Sequence, residues 1–154
     1  MAKRTVRRAR DGTFQLKLTD EERDLVASLT AQLRELLLSD QPDGVERLFP
    51  PGYANDEELQ KEFSAITHDE LLAKRLSSVD VVEQTVTRTS LTPDELAAWM
   101  GAVNDLRLVL GTRLDVTEEM HDLALDDPRA PAFAVYQYLT YLLSEIVQAL
   151  AADL

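Results

Sequence analysis

Hydrophobic residues recur along this chain in two periods. Near the N-terminus Phe14, Leu16 and Leu18 alternate with Thr13, Gln15 and Lys17, the period of two that a strand with one buried face requires. Asp11-Gly12 separates this run from Thr5-Val6-Arg7-Arg8-Ala9, so the two segments read as a β-hairpin. The first strand has little apolar surface and reads as an edge blunted by arginines.

From residue 19 the period lengthens to that of a helix. Thr19-Asp20-Glu21-Glu22 is a capping box, with acids in the positive first turn. Leu25, Leu29, Leu33, Leu36 and Leu37 then share one face, predicting a helix to about Leu38 that Ser39-Asp40-Gln41-Pro42-Asp43-Gly44 ends. A turn of helix over 45–48 and a rigid elbow at Phe49-Pro50-Pro51-Gly52-Tyr53 follow. Boxes at Asn55-Asp56-Glu57-Glu58 and Thr67-His68-Asp69-Glu70 predict a short helix through Phe63 and a longer one from about His68 to Thr87.

Thr92-Pro93-Asp94-Glu95 adds a proline at the first helical position to its threonine cap. With Leu96, Trp99, Val103, Leu106 and Leu110 in phase, it predicts a helix to about Leu114. Thr117 caps a further short helix, stopped at Asp126-Asp127-Pro128. A final helix, from about Pro131 to Ala152, carries the stripe Phe133, Tyr136, Leu139, Leu143, Ile146, Val147 and Leu150. Tyr138, Tyr141 and Leu142 widen that stripe, which suits either a central helix or a face shared with a second copy. The expected fold is mainly α: a single-domain helical bundle over 1–154, with 1–18 as a basic β-hairpin arm and 19–154 as the helical body.

Composition narrows the chemistry. The 154 residues include no cysteine, which excludes disulfides, thiolate metal sites, cysteine catalysis and thiol redox sensing. No apolar run approaches twenty residues and the N-terminus lacks a signal-peptide core, so a soluble, cytoplasmic protein without a membrane role is expected. Charge is divided unevenly. Residues 1–17 hold Lys3, Arg4, Arg7, Arg8, Arg10 and Lys17 against Asp11 alone, while the whole chain carries −12. A basic arm on an acidic body suggests two surfaces with different partners, although the arm also offsets self-repulsion within the body.

Candidate catalytic chemistry is sparse. Glu118 and His121 have the spacing of a carboxylate-bridged metal bundle, but no second Glu-x-x-His accompanies them. His68 stands behind a predicted cap. No nucleophile elbow, phosphate loop or dinucleotide fingerprint is present. Neither an enzyme, a metal nor a cofactor is expected. Arg4, Arg7, Arg8 and Arg10 can reach phosphate oxygens, giving weak, salt-sensitive DNA contact without base reading.

Asn104, Arg107 and Gly111 follow the spacing i, i+3, i+7 and share one helical face. A mid-helix glycine costs about 1 kcal/mol relative to alanine, so Gly111 implies close approach of another backbone. Arg107 beside such a crossing is expected to pair with a carboxylate, and Asn104 to satisfy backbone groups. Direct contact with a ligand is the alternative.

The block Asn104-Asp105-Leu106-Arg107-Leu108-Val109-Leu110-Gly111-Thr112-Arg113-Leu114, followed by Val116-Thr117-Glu118-Glu119, resembles an actinobacterial family known as domain of unknown function 2017. Leu48-Phe49-Pro50-Pro51-Gly52-Tyr53 and the opening hairpin extend the likeness over nearly the whole chain. Some members of that family are described as oxidative-stress transcription regulators that act with a stress-type sigma factor and sense oxidant through a cysteine pair. This chain has no such pair. The resemblance therefore implies a non-enzymatic, stress-linked regulator that contacts transcription machinery such as a sigma factor or polymerase. Arg4, Arg7, Arg8 and Arg10 would meet the partner or DNA, and the C-terminal helix a second copy. Asn104, Asp105, Arg107, Gly111, Thr112 and Arg113 read as a structural family signature. The alternative is an acidic adaptor or scaffold with no nucleic-acid role.

Overall fold

Alternation near the N-terminus produces the hairpin. In the computed structural model, which describes residues 4–39, 57–114, 124 and 126–152 (the side chains of 57–67 excepted), β1 (Val6–Arg8) pairs antiparallel with β2 (Phe14–Leu16). Gly12 supplies the positive φ of 88° that the turn needs. Asp11 accepts hydrogen bonds from the Thr13 N–H and hydroxyl at 3.0 and 2.6 Å. Val6, Phe14 and Leu16 are buried. A strand absent from the sequence reading, β3 (Ser90–Leu91), pairs with the other side of β2, leaving β1 as an edge. Two residues are too few to display a period, so only the partner strand reveals it.

Among the described residues four helices complete the mainly α fold: α1 (Asp20–Leu38), α2 (Glu57–Thr85), α3 (Pro93–Leu114) and α4 (Ala130–Ala151). The Thr19 and Thr92 capping boxes form as read. Thr19 and Glu22 exchange bonds of 3.1 Å, and Thr92 and Glu95 exchange bonds of 2.8 and 3.2 Å. The expected break near Thr67 is not there, because α2 passes through Thr67-His68-Asp69-Glu70 without interruption. No glycine or proline separates Phe63 from Thr67. The threonine and histidine penalties of some tenths of a kcal/mol are smaller than the cost of nucleating a second helix. The readings over 45–48, at the Phe49–Tyr53 elbow, at Asn55 and at the Thr117 cap lie outside the described residues.

The core runs between the sheet and all four helices. On α1 the buried line is Val26, Thr30, Leu33 and Leu37, one step round from the predicted leucine stripe; Leu25, Leu29 and Leu36 are half-buried. Buried Thr30 satisfies its hydroxyl by donating to the Val26 and Ala27 carbonyls at 2.9 and 3.0 Å. On α4, Leu142 is fully buried, whereas Val147 is 44% exposed. Trp99, wholly buried, donates its indole N–H to Thr85 at 2.7 Å, and Thr85 donates to the Val81 carbonyl at 2.7 Å. Among the described residues no helix is long and apolar enough to cross a membrane.

Arg23 joins the sheet to the helices. Its guanidinium donates to the carbonyls of Val86 and Arg88 at 2.5 and 2.8 Å and of Leu16 at 3.2 Å. Arg23→Met keeps the apolar stem and removes all three bonds. Urea unfolding is expected to show a loss of about 2–4 kcal/mol, with faster amide exchange in 14–16 than in α3. A loss below 1 kcal/mol would show that water replaces the guanidinium.

Candidate functional site

Two regions carry the residues singled out by sequence: the hairpin and the central block of α3. Arg4, Arg7, Arg8 and Arg10 are all exposed. They do not form one face. Arg7 lies opposite Gln15 on the outer side of the hairpin, whereas Arg8 lies opposite buried Phe14. The arm is also tied down rather than loose. The Thr5 N–H donates to Glu145 on α4 at 3.0 Å, and the Thr5 hydroxyl lies 3.0 Å from the Tyr141 hydroxyl. Tyr141 in turn donates to Glu145 at 3.2 Å.

The central block divides round the helix. Asp105 points into the protein with its side chain 1% exposed, and it accepts from Arg75 of α2 at 2.6 Å. Burial pushes its carboxyl up to about 6, against the opposing pull of Arg75 and Lys74. The carboxylate pair expected at Arg107 is therefore made by Asp105 with Arg75 instead. A position two residues along a helix turns by about 200°, so Arg107 cannot share that surrounding. Nothing in the sequence around Arg75 marks it as the partner.

Gly111 also differs from its expected role. A Cβ there would lie 3.1 Å from the Tyr136 ring of α4, so an aromatic face, rather than another backbone, occupies the space. Tyr136 in turn stacks on Phe133, with ring centroids 6.1 Å apart. Thr112 donates to the Leu108 carbonyl at 2.8 Å. Exposed Arg113, in the last turn, complements the helix dipole and borders a cleft with Leu29, Gln32, Leu36, Leu110 and Leu139. That cleft faces α1. Asn104 and Arg107 project in other directions, so the three polar groups do not converge.

Other interactions carry no clear local signal. Tyr138 of α4 donates to Glu22 at 2.7 Å. Burial works against the Glu22 carboxylate, but the bonds from Tyr138 and the Thr19 N–H outweigh it and hold Glu22 below its ordinary value. Burial and the same carboxylate push Tyr138 well above the usual phenol range. Arg23 does have a sequence signal: a cation in the first helical turn opposes the dipole and needs another reason to be there. Among the described residues no three His, Asp or Glu side chains gather as a metal site. His68 is on an exposed position of α2, 3.9 Å from Asp69. Glu118 and His121 lie outside the described residues.

A family model described as a domain of unknown function, DUF2017, matches residues 3–150. The chain is 32% identical over 111 residues to proteins named oxidative stress regulator AosR in Mycobacterium bovis and Mycobacterium tuberculosis. Each alignment covers 69% of this chain and 51% of the relative, so the chain spans about half the length of the curated relatives it matches. No solved structure matches.

The buried Asp105 pair makes stability depend on pH in a defined direction. A carboxyl raised from 3.8 to about 6 holds its proton more tightly when folded. Its contribution is full below about 3.8 and is lost as pH rises through about 6. That change amounts to about 3 kcal/mol. The stability of the wild type relative to Asp105→Asn should accordingly fall by that order between pH 4 and 7, measured by urea unfolding at each pH. A difference that stays flat, or grows with pH, contradicts the burial account.

Proposed function

The chain belongs to the DUF2017 family, and from that premise we propose that it is a non-enzymatic, cytoplasmic regulator linked to stress. It acts through protein contacts with transcription machinery, a sigma factor or polymerase, and its basic hairpin assists at DNA. The names of its mycobacterial relatives support the stress link. The observation that carries the DNA role is the exposure of Arg4, Arg7, Arg8 and Arg10 on a hairpin held against an acidic body. Exposed guanidinium groups on that support favour phosphate contact, whereas the body's charge opposes it. These 154 residues hold no cysteine, so no thiol among them acts as a sensor.

The net charge of −12 favours a second reading, an acidic adaptor without a nucleic-acid role. Anisotropy of a labelled duplex separates the two. Under the regulatory reading, Arg4→Ala/Arg7→Ala/Arg8→Ala weakens binding at low salt by about tenfold or more and flattens the salt dependence. If wild type and triple variant bind equally, or neither binds, the adaptor reading stands. Native pull-down should return a sigma factor or polymerase subunit; recovery of neither counts against the transcription role. A second copy can meet the outer face of α4, where Tyr141 and Val147 are 47% and 44% exposed.

A further inference from the structure

Met100, Gly101, Asn104, Arg107, Leu108 and Gly111 occupy about a third of the circumference of α3. All six are half-buried. The α2 helix borders this strip at Gly101, where a Cβ would lie 3.5 Å from the Ser78 hydroxyl. The α4 helix borders it at Gly111, against the Tyr136 ring. The cleft toward α1 opens from a different side, past Leu106 and Val109. The strip is thus the floor of a shallow trough roughly 15 Å long, with α2 and α4 as its walls.

Arg107 stands in the middle of that floor. Its Nε is shielded from water and meets no acceptor, and among the described residues its guanidinium makes no ion pair. A buried donor left unsatisfied costs about 1–3 kcal/mol, and more when charged. Methionine would fill the same space without that cost. Two residues earlier the fold builds a buried pair from Asp105 and Arg75, so this helix has a structural arginine partner where one is used. The Nε of Arg75 is equally unbonded, but Arg75 binds Asp105 through another nitrogen, and among the described residues Arg107 has no such carboxylate.

We propose that Arg107 is a receptor for a carboxylate presented by a partner protein, in an amphipathic segment that lies along the trough with its apolar side on Met100 and Leu108. The planar guanidinium fork fits a carboxylate in two parallel bonds. Asn104, one turn earlier, offers an amide beside it. A protein segment is the occupant because the six residues, spread over three turns of α3, each keep part of their surface in water, whereas small molecules bind in concave pockets that enclose them. A guanidinium half in water holds a carboxylate weakly; a segment that covers it excludes the water and strengthens the pair. This site is separate from the hairpin and does not rest on the DNA role.

Three measurements test it. Arg107→Met should leave the melting temperature unchanged or raise it by a few degrees; a fall of more than about 5 °C would mean that Arg107 is structural and overturn the proposal. In side-chain NMR of the full chain, sodium acetate at ionic strength matched with sodium chloride should shift Arg107 Nε–H saturably, beyond the shifts of the hairpin arginines. Equal shifts at all arginines, or micromolar affinity for succinate, contradict a water-open site for a protein-borne carboxylate. A photo-crosslinking residue in place of Leu108, in the native cell, should link to a peptide containing Asp or Glu, and Arg107→Met should abolish the link. No link, or one indifferent to Arg107→Met, overturns the proposal. Alanines at Arg4, Arg7 and Arg8 should leave the link intact, and Arg107→Met should leave duplex affinity intact, so either reading can fail alone.

Discussion

Three backbone carbonyls, from Leu16, Val86 and Arg88, meet where the sheet joins the helices, and one guanidinium satisfies them. The placement of much of the molecule depends on that meeting. Arg23 sits in the first turn of α1, where the helix dipole disfavours a cation by about 0.3–1 kcal/mol. Three charge-assisted bonds, together about 2–4 kcal/mol once the competing bonds to water are counted, outweigh that cost. The sheet is then fixed against α1 and the end of α2, and with it the basic hairpin. Thr5 adds a second tether, to α4.

With the sheet fixed, α3 is the helix round which the others are arranged. Its sides differ in chemistry. Trp99 and Val103 enter the core, Asp105 meets a cation on α2, Arg113 borders the cleft toward α1, and Arg107 occupies a half-open face. A single continuous block of sequence therefore contains both groups that hold the fold and groups available to something else. Read along the chain, that block looks uniform; round the helix, it separates.

Local signals were legible because their physics is local. The Thr19 and Thr92 boxes, the Asp11-Gly12 turn, and the ends of α1, α3 and α4 each depend on a few neighbouring residues. The Thr67 box misled because a cap motif marks a helix start only when the preceding chain is not helical. The α1 stripe was placed one step round because leucine content outweighed Val26 and Thr30, whose burial is decided by contact with other elements. At Arg107 and Gly111 the anomaly itself was visible, while its explanation lay on other helices: Arg75 had taken the carboxylate, and Tyr136 had filled the space. The exposed arginines of the hairpin were legible as charges, but their division between two sides required the strand register.

Glu22 links two of these scales. One of its oxygens receives the Thr19 N–H at the head of α1, and the other receives the hydroxyl of Tyr138, 116 positions away. A helix start is ordinarily among the first places to fray, independently of the rest of the molecule. Here, detaching α4 strips a hydrogen bond from the carboxylate that closes the α1 cap, and unwinding the first turn of α1 displaces the acceptor of a tyrosine on α4. The openings of α1 and α4 are thereby coupled, since each costs the other a hydrogen bond.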